Sequence, residues 1–456
     1  MKRAVVIGSG PNGLAAALQL ASAGLDVEVR EAEREPGGGA RSAELTLPGF
    51  VHDVCSGVHP LARASRAFAG IEIEWVHPEL PVAHPLDDGS AVMLDRSLDT
   101  TAASLGADAE AYRALIQPFV DAWVEIAQLR PFPSVRRLGF APIHAALGRA
   151  RALAESRFAG GRARALFAGN AAHSMLPLEQ RPSAGFALAL MTMGHTVGWP
   201  FPRGGAGRLT EALVGRVQEL GGRVVTAAAV DELPRADLVL ADVSPGELAR
   251  IAGDRLPPRY ASALRRYRHG PGAFKVDWAL SAPIPWSAAE AARAGTVHLG
   301  GTLEEIASSE RAAWEGRAAE RPFVLLSQPG RFDPTRGQTA WAYCHVPNGS
   351  SVDMTDRIEA QVERFAPGFR NLVIGRHVMG PADLQRHNRN LVGGDLNNGA
   401  MELGQLLFRP TRRLVPYRTP VRGLYLCSAA TPPGGGVHGL CGYLAARLAV
   451  HDLRRS

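Results

Sequence analysis

Arg3-Ala4-Val5-Val6-Ile7-Gly8-Ser9-Gly10-Pro11-Asn12-Gly13 begins as a short apolar strand and runs without a gap into a turn punctuated by three glycines. Leu14 to Ala23, rich in Ala and Leu, reads as a helix that Gly24 ends. Leu25-Asp26-Val27-Glu28-Val29-Arg30-Glu31 then alternates as a second strand closed by an acid. Strand, helix, strand and acid in this register make one half of an adenine-dinucleotide site. Gly8 allows the tight turn, Gly10 lets backbone approach a pyrophosphate, and Gly13 lets helix and strand pack closely. Amides at the helix start carry the partial positive charge that holds phosphates. Glu31 stands at the spacing of an acid that binds ribose hydroxyls.

At 456 residues the chain is too long for one ordinary core, so two domains are expected. Its longest apolar stretches, such as Leu14 to Leu25, fall short of a bilayer span. The strand starts at once, with no basic start and apolar leader before it, so a cytoplasmic location is expected. Net charge is +6, but the basic residues are scattered and almost all are arginine. Arginine-biased composition accounts for that. The sharper alternative is attraction to an anionic membrane surface through Arg149, Arg151, Arg157, Arg162 and Arg164. Nucleic-acid binding has no supporting motif. Cys55, Cys344, Cys427 and Cys441 are far apart and form no CxxC pair, so neither a redox dithiol nor a zinc site is expected.

The partners of the first motif return much later in the chain. Gly204-Gly205-Ala206-Gly207 precedes a helix from Leu209 that ends at Gly221-Gly222, Arg223-Val224-Val225-Thr226 is a strand, and Ala236 to Asp242 holds another. Gly423-Leu424-Tyr425-Leu426-Cys427 is a last strand. It runs through Gly434-Gly435-Gly436 into a helix from about Leu440 to Leu453. This alternation belongs to a doubly wound sheet. We therefore expect an α/β protein: a discontinuous Rossmann-like domain of residues 1–75, 202–255 and 405–456, with a mixed α+β substrate domain of 76–201 and 256–404. In the second unit residues 101–195 look mostly helical, with an apolar face over Ala111 to Ile126. Ala273–Leu280, Pro322–Leu326 and Thr339–Tyr343 read as strands.

Two features favour FAD over a nicotinamide. Pro36-Gly37-Gly38-Gly39-Ala40-Arg41-Ser42 lets backbone meet the cofactor a second time, and Arg41 can pair with a phosphate. Thr431-Pro432-Pro433-Gly434-Gly435-Gly436-Val437-His438-Gly439 stands ahead of a helix. Aimed at the isoalloxazine ring, that helix start would stabilise the negative charge gained on reduction.

GSGPNGL, GGGARS, SAATPPGGGVHGLCGY and VGGDLNNGAMELGQLLFRPT together resemble the phytoene dehydrogenase-like FAD oxidoreductases. That group includes bacterial phytoene desaturases, carotenoid isomerases and ketolases, and the pyridine nucleotide-disulfide oxidoreductase domain-containing protein 2 type. PGAFKVDWALSAPIPW, AGTVHLGGTLEEI, WAYCHVPNGS and QVERFAPGF are similar to segments of its bacterial members, so the likeness spans nearly the whole chain. It implies an amine-oxidase/phytoene-desaturase-like architecture. It also implies FAD held by Gly8, Gly10, Gly13, Glu31, Gly38, Gly39, Arg41, Val230, Ala429, Gly436 and Val437, with Pro11, Asn12, Ala32, Ala40 and Ser428 completing the contacts. Val230 matches the position whose backbone meets the adenine. Two departures stand out: the usual glycine doublet and arginine reads GGGAR here, and little room separates Val230 from the 238–241 strand for the hairpin many relatives insert.

Chemistry at a flavin needs orientation, a proton acceptor and water exclusion. His438 is the catalytic candidate, because a histidine directly after the glycine run could relay a proton near neutral pH. Filling the turn and capping a backbone group is its competing role. Asp395 and His59 are further polar candidates, against binding of loop amides for the first and core packing for the second. His173 and His195 lack metal-ligand spacing, and no metal site is expected. Met191, Met193, Trp199, Phe201, Trp278 and Trp286 offer apolar walls for a polyene or other lipid, or ordinary core.

The expected function is an FAD-dependent oxidoreductase that dehydrogenates, isomerises or oxygenates a hydrophobic substrate, with isoprenoids and carotenoids among the options. Electrons would leave to oxygen or a quinone. A substrate of that kind is taken from a membrane, for which peripheral docking on the inner face through the 149–164 segment is the expectation. Two alternatives are carried: an amine-oxidase-like flavoenzyme acting on a small amine, and a non-enzymatic prenyl or lipid carrier of the same fold.

Overall fold

Strand Arg3–Ile7 lies at the centre of a five-stranded parallel sheet, between Leu238–Ala241 and Asp26–Arg30. Leu424–Leu426 extends the sheet beyond the first neighbour and Arg223–Val225 beyond the second. The computed structural model describes residues 1–127 and 136–455. Ala4, Val6, Leu238 and Leu240 face one apolar layer, and Ile7, Val239 and Ala241 face the other. Burial on both faces is why these strands read as unbroken apolar runs instead of alternating ones. Helices Pro11–Ser22, Gly207–Glu219 and Leu440–Arg455 supply the first layer, with Leu14, Leu213, Val217 and Ala445 in it. Helices Pro245–Ala252 and Pro258–Arg265 supply the second, with Leu248, Ile251 and Leu264.

The first helix begins at Pro11, three residues earlier than its apolar run suggests. Pro in the first turn needs no amide partner and is already set to a helical φ. Gly442 explains why the C-terminal helix can lie against this segment: a Cβ there would sit 1.7 Å from the Asn12 carbonyl oxygen.

The second sheet has seven strands, in the order 373–379, 272–280, 339–346, 324–327, 294–299, 80–85 and 91–94. Neighbours run antiparallel, except that Leu80–Pro85 lies parallel to Ala294–Leu299. Three of these strands carry a clear sequence signal. Leu80–Pro85 does not, since two prolines and a histidine interrupt its apolar run, and Val373–Met379 does not, since its side chains are mostly half exposed. In the helical block, Ala109–Asp121 buries Tyr112, Leu115, Ile116 and Phe119, the i, i+3, i+4, i+7 stripe of an amphipathic helix. The apolar run expected over Ala111–Ile126 is divided there, and Trp123–Ala127 is a separate short helix.

The arginine cluster is mostly committed to the protein itself. Arg151 binds Glu155 and Glu179, Arg162 binds Ser90 and the Ala91 carbonyl, and Arg164 binds the Phe158 carbonyl. Three of the five arginines thus serve acceptors within the protein. Among the described residues no helix is long and apolar enough to cross a membrane. The four cysteines are free, and Cys344, Cys427 and Cys441 are buried as small apolar residues.

Candidate active site

One continuous cavity, partly open to solvent, runs from the glycine turn to the second sheet. Gly8, Gly10, Pro11, Asn12, Glu31, Ala32, Gly38, Gly39, Arg41, Val230, Ala429, Gly436 and Val437 all line it. Gly13, Ala40, Ser428 and His438 do not.

The glycines are required by close approach. A Cβ on Gly13 would lie 2.1 Å from the Gly8 carbonyl oxygen, and one on Gly38 would lie 3.0 Å from Gly10 Cα. The two glycine segments therefore pack backbone to backbone and leave a bare cradle between them. Gly37, the first of the triplet, turns instead toward Ser9, its amide donating to the Ser9 carbonyl at 3.1 Å. Gly38 and Gly39 are thus the pair on the cavity wall. Arg41 is braced by Gly38 and His387 carbonyls at 3.0 and 2.7 Å while its side chain lines the same wall. Glu31 receives the Ser9 amide at 2.9 Å, the Ser9 hydroxyl at 2.6 Å and the Glu33 amide at 3.0 Å. An ionised carboxylate can accept about four hydrogen bonds, so capacity remains for a diol. Asn12 adds a buried Oδ1 with no partner. These features fit a bound dinucleotide: a backbone cradle, a helix N-terminus, an acid at the strand end and an arginine.

A family model for an NAD(P)-binding Rossmann-like domain matches residues 6–69. Pyridine nucleotide-disulfide oxidoreductase domain-containing protein 2 of Rattus norvegicus is 27% identical, over 99% of this chain and 94% of its own length. Phytoene desaturase (lycopene-forming) of Pseudescherichia vulneris is 26% identical, over 100% of both chains. Over its whole length the chain is similar to proteins of the phytoene-desaturase type. It is an FAD-dependent oxidoreductase. The fold extends to a triple mutant of putrescine oxidase, with a TM-score of 0.64 at 17% identity over 100% of this chain and 99% of that one.

Within this flavoenzyme the remaining polar candidates divide by geometry. Both ring nitrogens of His438 are engaged by its own loop: Nδ1 accepts the Leu440 amide at 3.0 Å, so Nε2 carries the proton and donates to the Gly434 carbonyl at 3.1 Å. Burial holds its pKa down at about 4. The imidazole thus braces the glycine loop, and it offers no free nitrogen to the cavity, in contrast to the expected proton relay. Asp395 is likewise a loop organiser, its carboxylate receiving the amides of Gly270, Asn397 and Gly399 at 2.9, 2.9 and 2.6 Å. His59 does line the cavity, and burial lowers its pKa to about 4. Its Nε2 meets the Ser56 hydroxyl at 3.0 Å and its Nδ1 is buried without a partner. His195 pairs with the Tyr112 hydroxyl at 2.7 Å, away from the site.

Of the six apolar residues suggested for the walls, only Trp199 lines the cavity. Met191 and Trp278 are core, the latter packed edge-on against Phe369 with its indole N–H on Glu359. Phe201 and Met193 are also buried away from the cavity, and Trp286 binds Gln328 through its indole. The walls come instead from Val58, Leu61, Leu190, Leu325, Leu326, Trp341 and Tyr343. Trp341 and Tyr343 are two apart on one strand, so the pleat sets them on the same face, nearly parallel at 14° and 6.2 Å between centroids.

Two charged residues, one near each end of the cavity, carry no clear signal in the sequence. Lys275 is buried, ion-paired with Asp277, and its ammonium lies 5.5 Å from the Trp341 ring centroid. Asp242 lines the cavity under the glycine turn and accepts the Gly13 amide at 2.9 Å. Desolvation first, then the nearby Glu31 charge, raises its pKa to about 7. Lys275 was legible as one of only two lysines in the chain, but its burial was not.

Proposed function

We propose that this enzyme oxidises, isomerises or oxygenates a lipophilic substrate of isoprenoid type. The observation that carries the reading is the distribution of charge along the cavity. Its acids, Glu31, Glu33, Asp242 and Glu247, all belong to the dinucleotide end. The opposite end is bounded by Val58, Leu190, Trp199, Leu325, Leu326 and Tyr343, with no carboxylate among them. An ammonium moved there from water would lack a counter-charge, whereas a hydrocarbon chain would gain about 25 cal/mol for each Å² of apolar surface buried.

In this reading Gly8, Gly10, Gly38, Gly39 and Arg41 hold the pyrophosphate, Glu31 the ribose and Val230 the adenine. Ala429, Gly436 and Val437, which line the cavity, would meet the flavin ring, with His438 shaping their loop. FAD, when bound, supplies a two-electron acceptor able to take a hydride from carbon. The apolar wall orients the substrate and excludes water. Oxygen or a quinone completes the cycle as electron acceptor.

A small amine is the second reading, favoured by the parallel Trp341 and Tyr343 rings. Their separation of 6.2 Å is too small for a substrate to lie between them, since each aromatic contact needs about 3.5 Å. Anaerobic titration of the FAD-loaded protein tests the choice. Bleaching of the flavin bands by a detergent-dispersed isoprenoid polyene, and not by putrescine or benzylamine, is the expected result. Bleaching by amines alone overturns it.

A further inference from the structure

A chain of three histidines, two of them fully buried, ends at the apolar side of the cavity, and the dinucleotide chemistry makes no use of it. His84 on Leu80–Pro85 and His298 on Ala294–Leu299 occupy adjacent parallel strands and are fully buried. His173 caps the helix Gly161–Ala172 and lines the cavity. Its Nε2 is 3.1 Å from Nε2 of His298, and Trp199 packs against both rings at 5.4 and 6.0 Å between centroids.

The proton positions follow from the partners. His84 Nε2 lies 2.7 Å from the Gly301 carbonyl, which can only accept, so His84 carries its proton there and its Nδ1 is a bare acceptor. His298 Nδ1 is buried with no partner. A buried N–H left unpaired costs more than an unused lone pair, so the His298 proton resides on Nε2 and is donated to His173. His173 therefore accepts through Nε2 and carries its own proton on Nδ1. No acceptor among the described residues takes that proton. Gly169 makes the packing feasible, because a Cβ there would lie 2.7 Å from His298 Nδ1 and 3.2 Å from His84 Nδ1.

A second unpaired group lies beside it. Thr296 lines the cavity, is 5% exposed, and its Oγ1 is buried without a partner. It stands two residues from His298 on the same strand, hence on the same face.

We propose that the His173 Nδ1–H and the Thr296 hydroxyl form a subsite for a neutral oxygen function, a carbonyl or hydroxyl, carried by the lipophilic substrate. His298 is a positioning residue that fixes the His173 tautomer. This deepens the lipophilic reading and rests on it. Neutral oxygen is favoured over an anion because desolvation holds His173 at about 3 and pushes His298 well below its ordinary value, leaving both uncharged near neutrality. It is favoured over an ammonium because the nearby acid, Glu310, is already bonded to His345 at 2.7 Å and does not line the cavity.

The test uses FAD-loaded protein and the perturbation of its flavin spectrum by isoprenoids of matched chain length: geranial, geraniol and the hydrocarbon myrcene, with putrescine as the amine. Geranial and geraniol are expected to bind about tenfold more tightly than myrcene. His173→Phe should remove that advantage and leave myrcene affinity unchanged. His298→Leu should reduce it and His298→Gln, which retains an N–H donor, should restore it. A retained flavin spectrum in each variant reports folding. Equal affinity for geranial and myrcene in the unmodified protein, or an advantage that survives His173→Phe, overturns the subsite alone. Absence of binding by every isoprenoid, with or without binding of putrescine, overturns the lipophilic reading and the subsite with it.

Discussion

Asp242 Oδ2 accepts the amide of Gly13 at 2.9 Å across 229 positions of sequence, and the same oxygen would be 2.8 Å from a Cβ on Gly10. A buried acid thus sits directly under the glycine turn. Its pKa is raised to about 7, from 3.8, chiefly by desolvation. Between those values the folded protein binds a proton that the unfolded chain releases, so the stability this group contributes is full below 3.8 and is lost as pH rises through about 7. Asp242→Asn keeps an acceptor for Gly13 without the charge. The cofactor-free variant is expected to gain on the unmodified protein in melting temperature from pH 4 to 7, and to hold FAD more tightly at pH 8. Parallel melting curves across that range would refute the assignment.

Glu31 ties the glycine turn to the strand end through Ser9 and Glu33. Losing charge-assisted bonds of this type costs about 1.5–3 kcal/mol. Glu31→Ala should weaken FAD binding by roughly 10- to 100-fold, with Glu31→Gln intermediate. Equilibrium dialysis of the apoprotein against FAD measures this.

His438 is expected to act through its loop. Removing the ring leaves the Leu440 amide and the Gly434 carbonyl without their partner. His438→Ala should lower stability by about 1–3 kcal/mol and loosen FAD, while His438→Asn recovers part of both. The pH dependence of turnover should be the same in His438→Asn and the unmodified enzyme. Loss of a limb near pH 6–7 in the variant would reinstate a proton-transfer role.

Asp53 and Arg336 form an ion pair at 2.8 Å with both side chains buried, and Asp53 also receives the Ala206 amide at 2.7 Å. It joins the segment after the second glycine cluster, the start of helix Gly207–Glu219 and the large sheet. Asp53→Ala leaves a buried guanidinium unpaired and should cost about 3–5 kcal/mol. The Asp53→Leu/Arg336→Met double variant should be distinctly more stable than Asp53→Ala alone in urea unfolding.

The first dinucleotide half was legible in the residues because every part of it is local. Strand, turn, helix and acid lie within residues 3–31, and Gly13 answers to Gly8, although Gly8 and Gly10 themselves face Asp242 from a distant strand. The second glycine cluster was legible for the same reason, although only packing against Gly10 set Gly38 and Gly39, and not Gly37, on the wall. The far strands 238–241 and 424–426 were legible as apolar runs because both faces of their sheet are covered.

The substrate end was not legible. His173, Thr296, Leu325 and Trp341 come from four separate elements, and no spacing rule connects them. His438 looked catalytic because sequence gives neighbours but not directions: only the folded loop turns both nitrogens onto its own backbone. Local hydrogen bonding and hydrophobic periodicity act over a few residues, so the chain alone determined the dinucleotide cradle and the doubly wound sheet around it. Burial, tautomer and charge at the cavity's far wall depend on which surfaces meet, and tertiary packing decided those.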